Sequence, residues 1–283
     1  MKSTGIPTVD VLLRGGFGSG IVDLYGEPSA GKSAFGASLL KQASLEGRPA
    51  LLVYTTALDK EFYLGAGVPR SLDVMSAGTW GDLEKVLPEI LVRSENLLVV
   101  IDSATALESL ATVDMTLSEA TDKQNVSAEA AEKLETIAHL RAAALSSDST
   151  VVLISEARSS FVGGRVRSAL GKRCYELVST SLQFSVVEMR TSYGRLDVRK
   201  VRIDVKKNAY APPTGSVEVS VYNDGIRKYY ELLKRLIQAN KVEQRGSYWV
   251  LRKSGIMLGP GYAKAAEQLE AYAKGSSDGG QEG

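Results

Sequence analysis

The chain has one cysteine, one histidine and a net charge of +1. With Cys174 alone, no internal disulfide closes and no multi-cysteine zinc site assembles, which suits a reducing compartment. Cys174 itself reads as a small residue packed beside a loop. His139 falls in a helical pattern, where a lone histidine is far more often structural than catalytic, and it is left out of the candidate site. Basic and acidic residues number 34 and 33, so no global positive field exists and any nucleic-acid site has to be a local cluster. Apolar runs stop well short of the roughly 20 residues of a membrane span, and no N-terminal stretch reads as a signal peptide. A soluble, cytoplasmic protein with no membrane partner is expected.

What is present is a regular alternation. Short β-rich runs occur at 21–25, 50–54, 97–101, 150–154 and 182–187, and helical patterns at 34–46, 80–93 and 126–145 separate the first four. Apolar strands alternating with helices predict an α/β fold with a mostly parallel central sheet and helices on both faces. From about residue 182 polar and apolar residues alternate, which predicts antiparallel strands extending that sheet. A helix at 227–240, an alternating stretch at 242–258 and a helix at 260–274 predict a small C-terminal α+β subdomain, with Tyr248 and Trp249 packing its core. The expected organisation is a core over 1–226, the subdomain over 227–274 and a disordered tail over 275–283.

Between the first strand and the first long helix lies YGEPSAGKSA, where Gly26, Gly31, Lys32 and Ser33 fit the spacing of a phosphate-binding loop. Backbone N–H groups of such a loop point at phosphates from a helix N-terminus. Gly26, Glu27, Pro28, Ser29, Ala30, Gly31, Lys32, Ser33 and Ala34 are the candidate cofactor-binding residues. Lys32 would neutralise the β and γ charges of ATP, and the Ser33 hydroxyl would hold Mg²⁺. A second carboxylate is needed at the end of a buried strand, and LLVVIDSATAL at 97–107 provides Asp102. Alone, Asp102 also fits a helix cap with Ser103, the lesser of the two readings.

Further motifs follow in order: Ser3, Thr4 and Gly5 with Asp10; ALDKEF at 57–62; VKKNAYAPP at 205–213; YNDGI at 222–226; GSYWV and LGPG at 246–261. Together with the phosphate loop and IDSATAL, this series resembles the bacterial RecA recombinases from residue 3 to about 273. The resemblance implies a RecA-like ATP-binding core that forms a filament on single-stranded DNA and drives strand pairing. It implies that Asp59 meets the adenine amino group and that Phe62 stacks on its ring, although Phe62 also fits a core position. It places DNA loops at 110–126, which is acidic, and at 157–173, where Arg158, Arg165, Arg167, Lys172 and Arg173 surround Gly163 and Gly164. Those cations would neutralise phosphates and Phe161 would stack on or wedge beside a base. Without the resemblance the same stretch reads as a solvated basic loop.

Four departures from the family pattern bear on function. Thr55 or Thr56 stands where the family has a glutamate that activates the attacking water, so ATP binding with slow turnover is expected. Glu156 stands where the family has a glutamine that senses the γ-phosphate. Either Glu156 has taken over the base role, making Lys32, Asp102 and Glu156 the catalytic set, or the sensing link is broken. The family's K-N-K run, whose lysines cross to a neighbour's ATP, is here Lys206, Lys207, Asn208, Ala209. The segment before Ser3, which docks on the adjacent protomer in the family, is reduced to Met1 and Lys2, so self-association by that route is expected to be lost or to use another surface. The expected function is therefore that of a paralogue or accessory of DNA recombination and repair, binding single-stranded DNA and a recombinase or repair partner. The alternatives are a self-sufficient filament-forming recombinase, or a RecA-fold protein-binding scaffold with no DNA role.

Overall fold

A computed structural model describes residues 1–57, 59–109, 123–159, 166–192, 195–213 and 215–278. Its elements run α1 Pro7–Leu12, β1 Gly20–Gly26, α2 Lys32–Leu45, β2 Ala50–Tyr54, α3 Lys60–Gly65, β3 Asp73–Ser76, α4 Trp80–Arg93 and β4 Leu98–Asp102. They continue with α5 Lys123–Ser146, β5 Thr150–Ser159, β6 Val166–Ser168, α6 Lys172–Leu177, β7 Thr180–Ser192, β8 Arg195–Asn208, β9 Ser216–Tyr222 and β10 Gly225–Ile226. The last are α7 Lys228–Gln238, β11 Val242–Arg245, β12 Tyr248–Leu251, β13 Met257–Pro260 and α8 Gly261–Asp278. The chain divides into two compact units, Met1–Gly5 with Asp10–Ile226, and Ile6–Val9 with Arg227–Gly283.

In the larger unit a ten-stranded sheet has the order β10-β9-β8-β7-β1-β5-β4-β2-β3, with β6 paired to β5 alone. β1, β5, β4, β2 and β3 are mutually parallel, and β7 joins β1 in parallel before the sheet turns antiparallel through β8, β9 and β10. The expected α/β fold with an antiparallel extension is therefore what the chain adopts. Strand alternation sends Val99, Ile101, Val151 and Leu153 into a core with Trp80, Leu83 and Leu87 of α4 and Ile137 and Leu140 of α5. Cys174 is buried in the same core, as a small packed residue should be. On the other face, a Cβ added at Gly36 of α2 would lie 3.1 Å from Ile154 and 3.2 Å from Val100, so this helix packs close on β4 and β5.

Local chemistry fixes the element ends. Thr79 accepts from Asp82 N, and Asp82 accepts from Thr79 N, a reciprocal cap that starts α4 where the sequence pattern begins. Asp10 accepts from Ser3 Oγ, Thr4 N and Thr4 Oγ1 at 2.6–2.7 Å, which explains why Ser-Thr-Gly and an aspartate travel together. At the sheet's parallel centre, Asp23 of β1 is a buried carboxylate that accepts from Ser155 Oγ (2.7 Å) and Ser181 Oγ (3.4 Å). Desolvation outweighs those hydroxyls and pushes its pKa up to about 6.

The smaller unit packs α7 and α8 with the three-stranded antiparallel sheet β11-β12-β13. Leu233, Val242, Leu258, Ala265, Ala266 and Leu269 form its core, and Trp249 meets Tyr262 edge-on at 6.4 Å. Tyr248 is exposed, so of the two aromatics expected in that core only Trp249 packs there. Helix α8 runs to Asp278, four residues into the stretch expected to be a disordered tail, and the rest of that stretch lies outside the described residues.

Candidate functional site

The parallel strands end side by side, and their register brings the candidate residues together. Gly26 pairs with Glu156, while Tyr54, Asp102 and Ile154 stand in line across β2, β4 and β5. Ligands of open parallel sheets bind at these carboxyl ends. A cavity of about 400 Å³ opens here, lined by the phosphate-loop residues Ser29, Gly31, Lys32, Ser33 and Ala34, by Asp59 and Phe62 of the α3 segment, and by Asp102.

The loop is built for close approach. At Gly26 an added Cβ would sit 2.3 Å from the Phe184 carbonyl oxygen, so any side chain would drive β1 and β7 apart. Gly31 has φ +83°, a left-handed conformation that disfavours side chains, and an added Cβ would meet Val221 at 2.8 Å. With no side-chain cap at Gly31, the first N–H groups of α2 keep their capacity for an anion. Glu27, Pro28 and Ser29 are exposed on the loop, whereas Ala30 and Ala34 are buried. Lys32 is only 8% exposed, and its ammonium donates to Gly26 O (2.9 Å) and Glu27 O (2.6 Å). Burial lowers its pKa, and the charges of Glu156, Asp102 and Glu27 act in the opposite direction. Ser33 is half-buried beside it on the cavity wall.

Asp102 accepts from the Tyr63 hydroxyl at 2.8 Å. Tyr63 is buried, and desolvation together with the Asp102 charge raises its pKa, so it stays a donor. Phe62 and Tyr63 meet edge to face at 5.3 Å, leaving Phe62 half-buried on the cavity wall rather than in the core. One oxygen of Asp59 caps α3 by accepting from Phe62 N at 2.9 Å.

The two threonines separate clearly. Thr55 Oγ1 donates to Ser103 O and accepts from Ser103 N, both at 2.9 Å, so it ties the end of β2 to the end of β4. Thr56 instead lines the cavity. Glu156 is exposed on β5 opposite Gly26, where β1 ends, and its carboxylate is the foremost of the charges acting on Lys32.

Residues 1–227 match the family model for the RecA N-terminal domain. The chain belongs to the RecA family. It is 28% identical over 277 residues to Protein RecA of Thermus thermophilus, an alignment covering 94% of this chain and 79% of that one. Protein RecA of Bdellovibrio bacteriovorus is 28% identical over 279 residues, covering 95% and 72% of the two chains. Protein RecA of Francisella tularensis subsp. novicida is 26% identical over 276 residues, covering 94% and 75%.

The stretch that the RecA likeness makes the second DNA loop is more ordered at its two ends than a flexible loop. Ala157–Ser159 and Val166–Ser168 form an antiparallel hairpin in which Arg158 stands opposite Arg167. Both arginines are exposed, and so are Lys172 and Arg173 in the first turn of α6. Phe161, Gly163, Gly164 and Arg165 lie outside the described residues, as does most of the 110–126 loop. For Lys207, which the RecA likeness assigns to a neighbour's ATP, Nζ donates to Tyr175 O (2.9 Å) and Glu176 O (3.0 Å) and sits 5.3 Å from the Tyr175 ring centre. A cation on the last carbonyls of α6 is a favourable end cap. Lys206, one residue earlier, is exposed on the opposite side of β8.

Two residues of the cavity went unnoticed in the sequence. Tyr63 follows Phe62 directly, and nothing in KEFYLG separates its role from that of an ordinary buried tyrosine. Arg199 left a trace: it falls in register with Val201 and Ile203, both fully buried, so a cation occupies the apolar phase of an alternating strand. Among the described residues no helix is long and apolar enough to cross a membrane.

Proposed function

We propose that the protein is a nucleotide-switched, single-stranded-DNA-binding member of the RecA family that serves DNA recombination and repair as a paralogue or accessory and turns ATP over slowly. The observation that carries this reading is the convergence on one cavity of the glycine-shaped loop, Lys32, Asp102, Asp59 and Phe62. The donor set fits ATP with Mg²⁺. A loop that admits no Cβ at Gly26, a buried ammonium and a helix N-terminus suit a polyphosphate chain, and the Ser33 hydroxyl with the Asp102 carboxylate offers hard oxygen ligands. Mg²⁺ held there would neutralise charge on the phosphates.

The chain's own groups divide the remaining work. Lys32 exchanges its carbonyl partners for phosphate oxygens, Phe62 offers a ring face to the base, and the free oxygen of Asp59 accepts from an exocyclic amine. Tyr63 holds the Asp102 carboxylate in one orientation. No such work falls to Thr55, whose hydroxyl is spent on Ser103, and Thr56 can hold a water but cannot take its proton at neutral pH. Without a general base a rate falls by about 10² to 10⁴, which is the basis for slow turnover. Glu156 stands opposite Gly26 in the β1–β5 register, and its charge, which acts on Lys32, would repel a γ-phosphate bound there, which favours a weakened sensing link over a base role.

The hairpin at the end of β5 continues directly from the strand that carries Glu156, so an event at the γ-phosphate has a short route to Arg158 and Arg167. Binding of a labelled single strand at increasing salt tests the DNA reading. Replacing Arg158 and Arg167 together with alanine is expected to weaken binding and to lower the logarithmic salt slope by about 1.4, two single-strand phosphate contacts. An unchanged slope refutes this interface.

A further inference from the structure

One cation of the cavity belongs to neither the phosphate loop nor the strands of the parallel centre. Arg199 sits on β8, opposite Val221 of β9, on the face of the antiparallel half that turns towards the loop. Its Nη1 donates to the Ser29 carbonyl at 2.7 Å. Its Nε is buried with no hydrogen-bond partner. Of the described residues lining the cavity, Lys32 and Arg199 are the two cations, set against the carboxylates of Asp59 and Asp102.

We propose that Arg199 is a phosphate-binding residue of the nucleotide site, supplied from β8 of the same protomer, which clamps the polyphosphate chain from the side opposite the helix α2 N-terminus. This rests on the nucleotide reading given above. A buried charged donor without a partner is unfavourable unless something else satisfies it. The guanidinium fork holds several donors in one plane, so anchoring one nitrogen on Ser29 aims the others without further loss of freedom. Ser29 lies inside the loop with φ +60°, so the same contact also braces the loop conformation that receives the phosphates. Two cations against two carboxylates leave the cavity wall near neutrality, and a triphosphate then needs both. Lys207 donates to the carbonyls of α6 and does not line the cavity.

Calorimetric titration of the full chain with ATP, ADP and adenosine, each in the presence of Mg²⁺, tests the clamp. Two variants separate charge from shape: Arg199→Gln keeps a donor for the Ser29 carbonyl without the charge, and Arg199→Lys keeps the charge without the fork. The expected result for Arg199→Gln is a loss of about tenfold to a hundredfold for ATP, a smaller loss for ADP and a change within about twofold for adenosine, with an unchanged unfolding midpoint. Arg199→Lys is expected to fall between Arg199→Gln and the parent. Equal losses for all three ligands would assign Arg199 to the base or to loop shape and overturn the proposal, as would an unchanged ATP affinity beside a Lys32→Ala control that has lost it. If the unsubstituted chain itself fails to bind ATP, the nucleotide reading falls, and the Arg199 clamp with it.

Discussion

The parallel and antiparallel halves of the large sheet solve different problems. All seven residues of β1 are buried, and β4 and β2 bury most of theirs, so in this half polar chemistry is pushed to the strand ends, where Gly26, Thr55, Asp102 and Glu156 cluster. In the antiparallel half the later part of β9 alternates between half-buried and buried positions, and one face is free for charges such as Lys200 and Arg202, both paired with Glu218. Each half carries one residue that breaks its own rule. Asp23 is a buried carboxylate in the parallel centre, and Arg199 is a cation in the apolar register of β8. Departures of this kind tend to mark functional or strained places.

The largest expected effect tests the parallel half's chemistry at its root. Lys32→Ala removes the buried ammonium, and ATP affinity measured by titration should fall by about 10² to 10³. Next comes the rule-breaker of that half. Asp23 has its folded pKa raised to about 6 from 3.8, so its native state is favoured while protonated; stability is fully present below the unfolded pKa and is lost as pH rises through about 6. Urea unfolding at pH 4 and pH 8 should therefore show a change in the parent that Asp23→Asn lacks, on the order of 3 kcal/mol. A third test addresses the strand ends. Thr56→Glu places a carboxylate on the cavity wall without disturbing the Thr55–Ser103 tie, and turnover should rise by about tenfold or more, whereas Thr55→Glu should chiefly lower stability. The smallest effect is expected at the surface pair of His139 and Glu84, where the carboxylate raises the imidazole pKa. That contribution is present at low pH and lost as pH rises through the folded value, and because His139 is half exposed its replacement with alanine should cost below about 0.5 kcal/mol.

The parallel half was legible because its strands are short apolar runs between amphipathic helices, and β2 and α4 fall where periodicity puts them. β3 escaped because DVMS is exposed and edge-like, with no apolar phase to read. The β7–β8 hairpin is longer than its apolar segment, since charged residues continue the ladder beyond the core. In the site, glycines and Lys32 announced themselves by spacing. Tyr63 did not, because a hydroxyl aimed at Asp102 depends on how α3 meets β4, a long-range fact absent from local sequence. The same holds for the Thr55 tie and for the bond from Lys207 to the Tyr175 carbonyl.

The central claim is that nucleotide in the cavity governs the hairpin that the end of β5 forms with β6. It is tested most directly by the anisotropy of a labelled single-stranded oligonucleotide at low salt with ATP and Mg²⁺, with ADP, and without nucleotide, alongside Lys32→Ala. The account predicts that ATP tightens binding by about tenfold and that the variant loses this response. Equal affinity in all three states, or no binding in any of them, would contradict it.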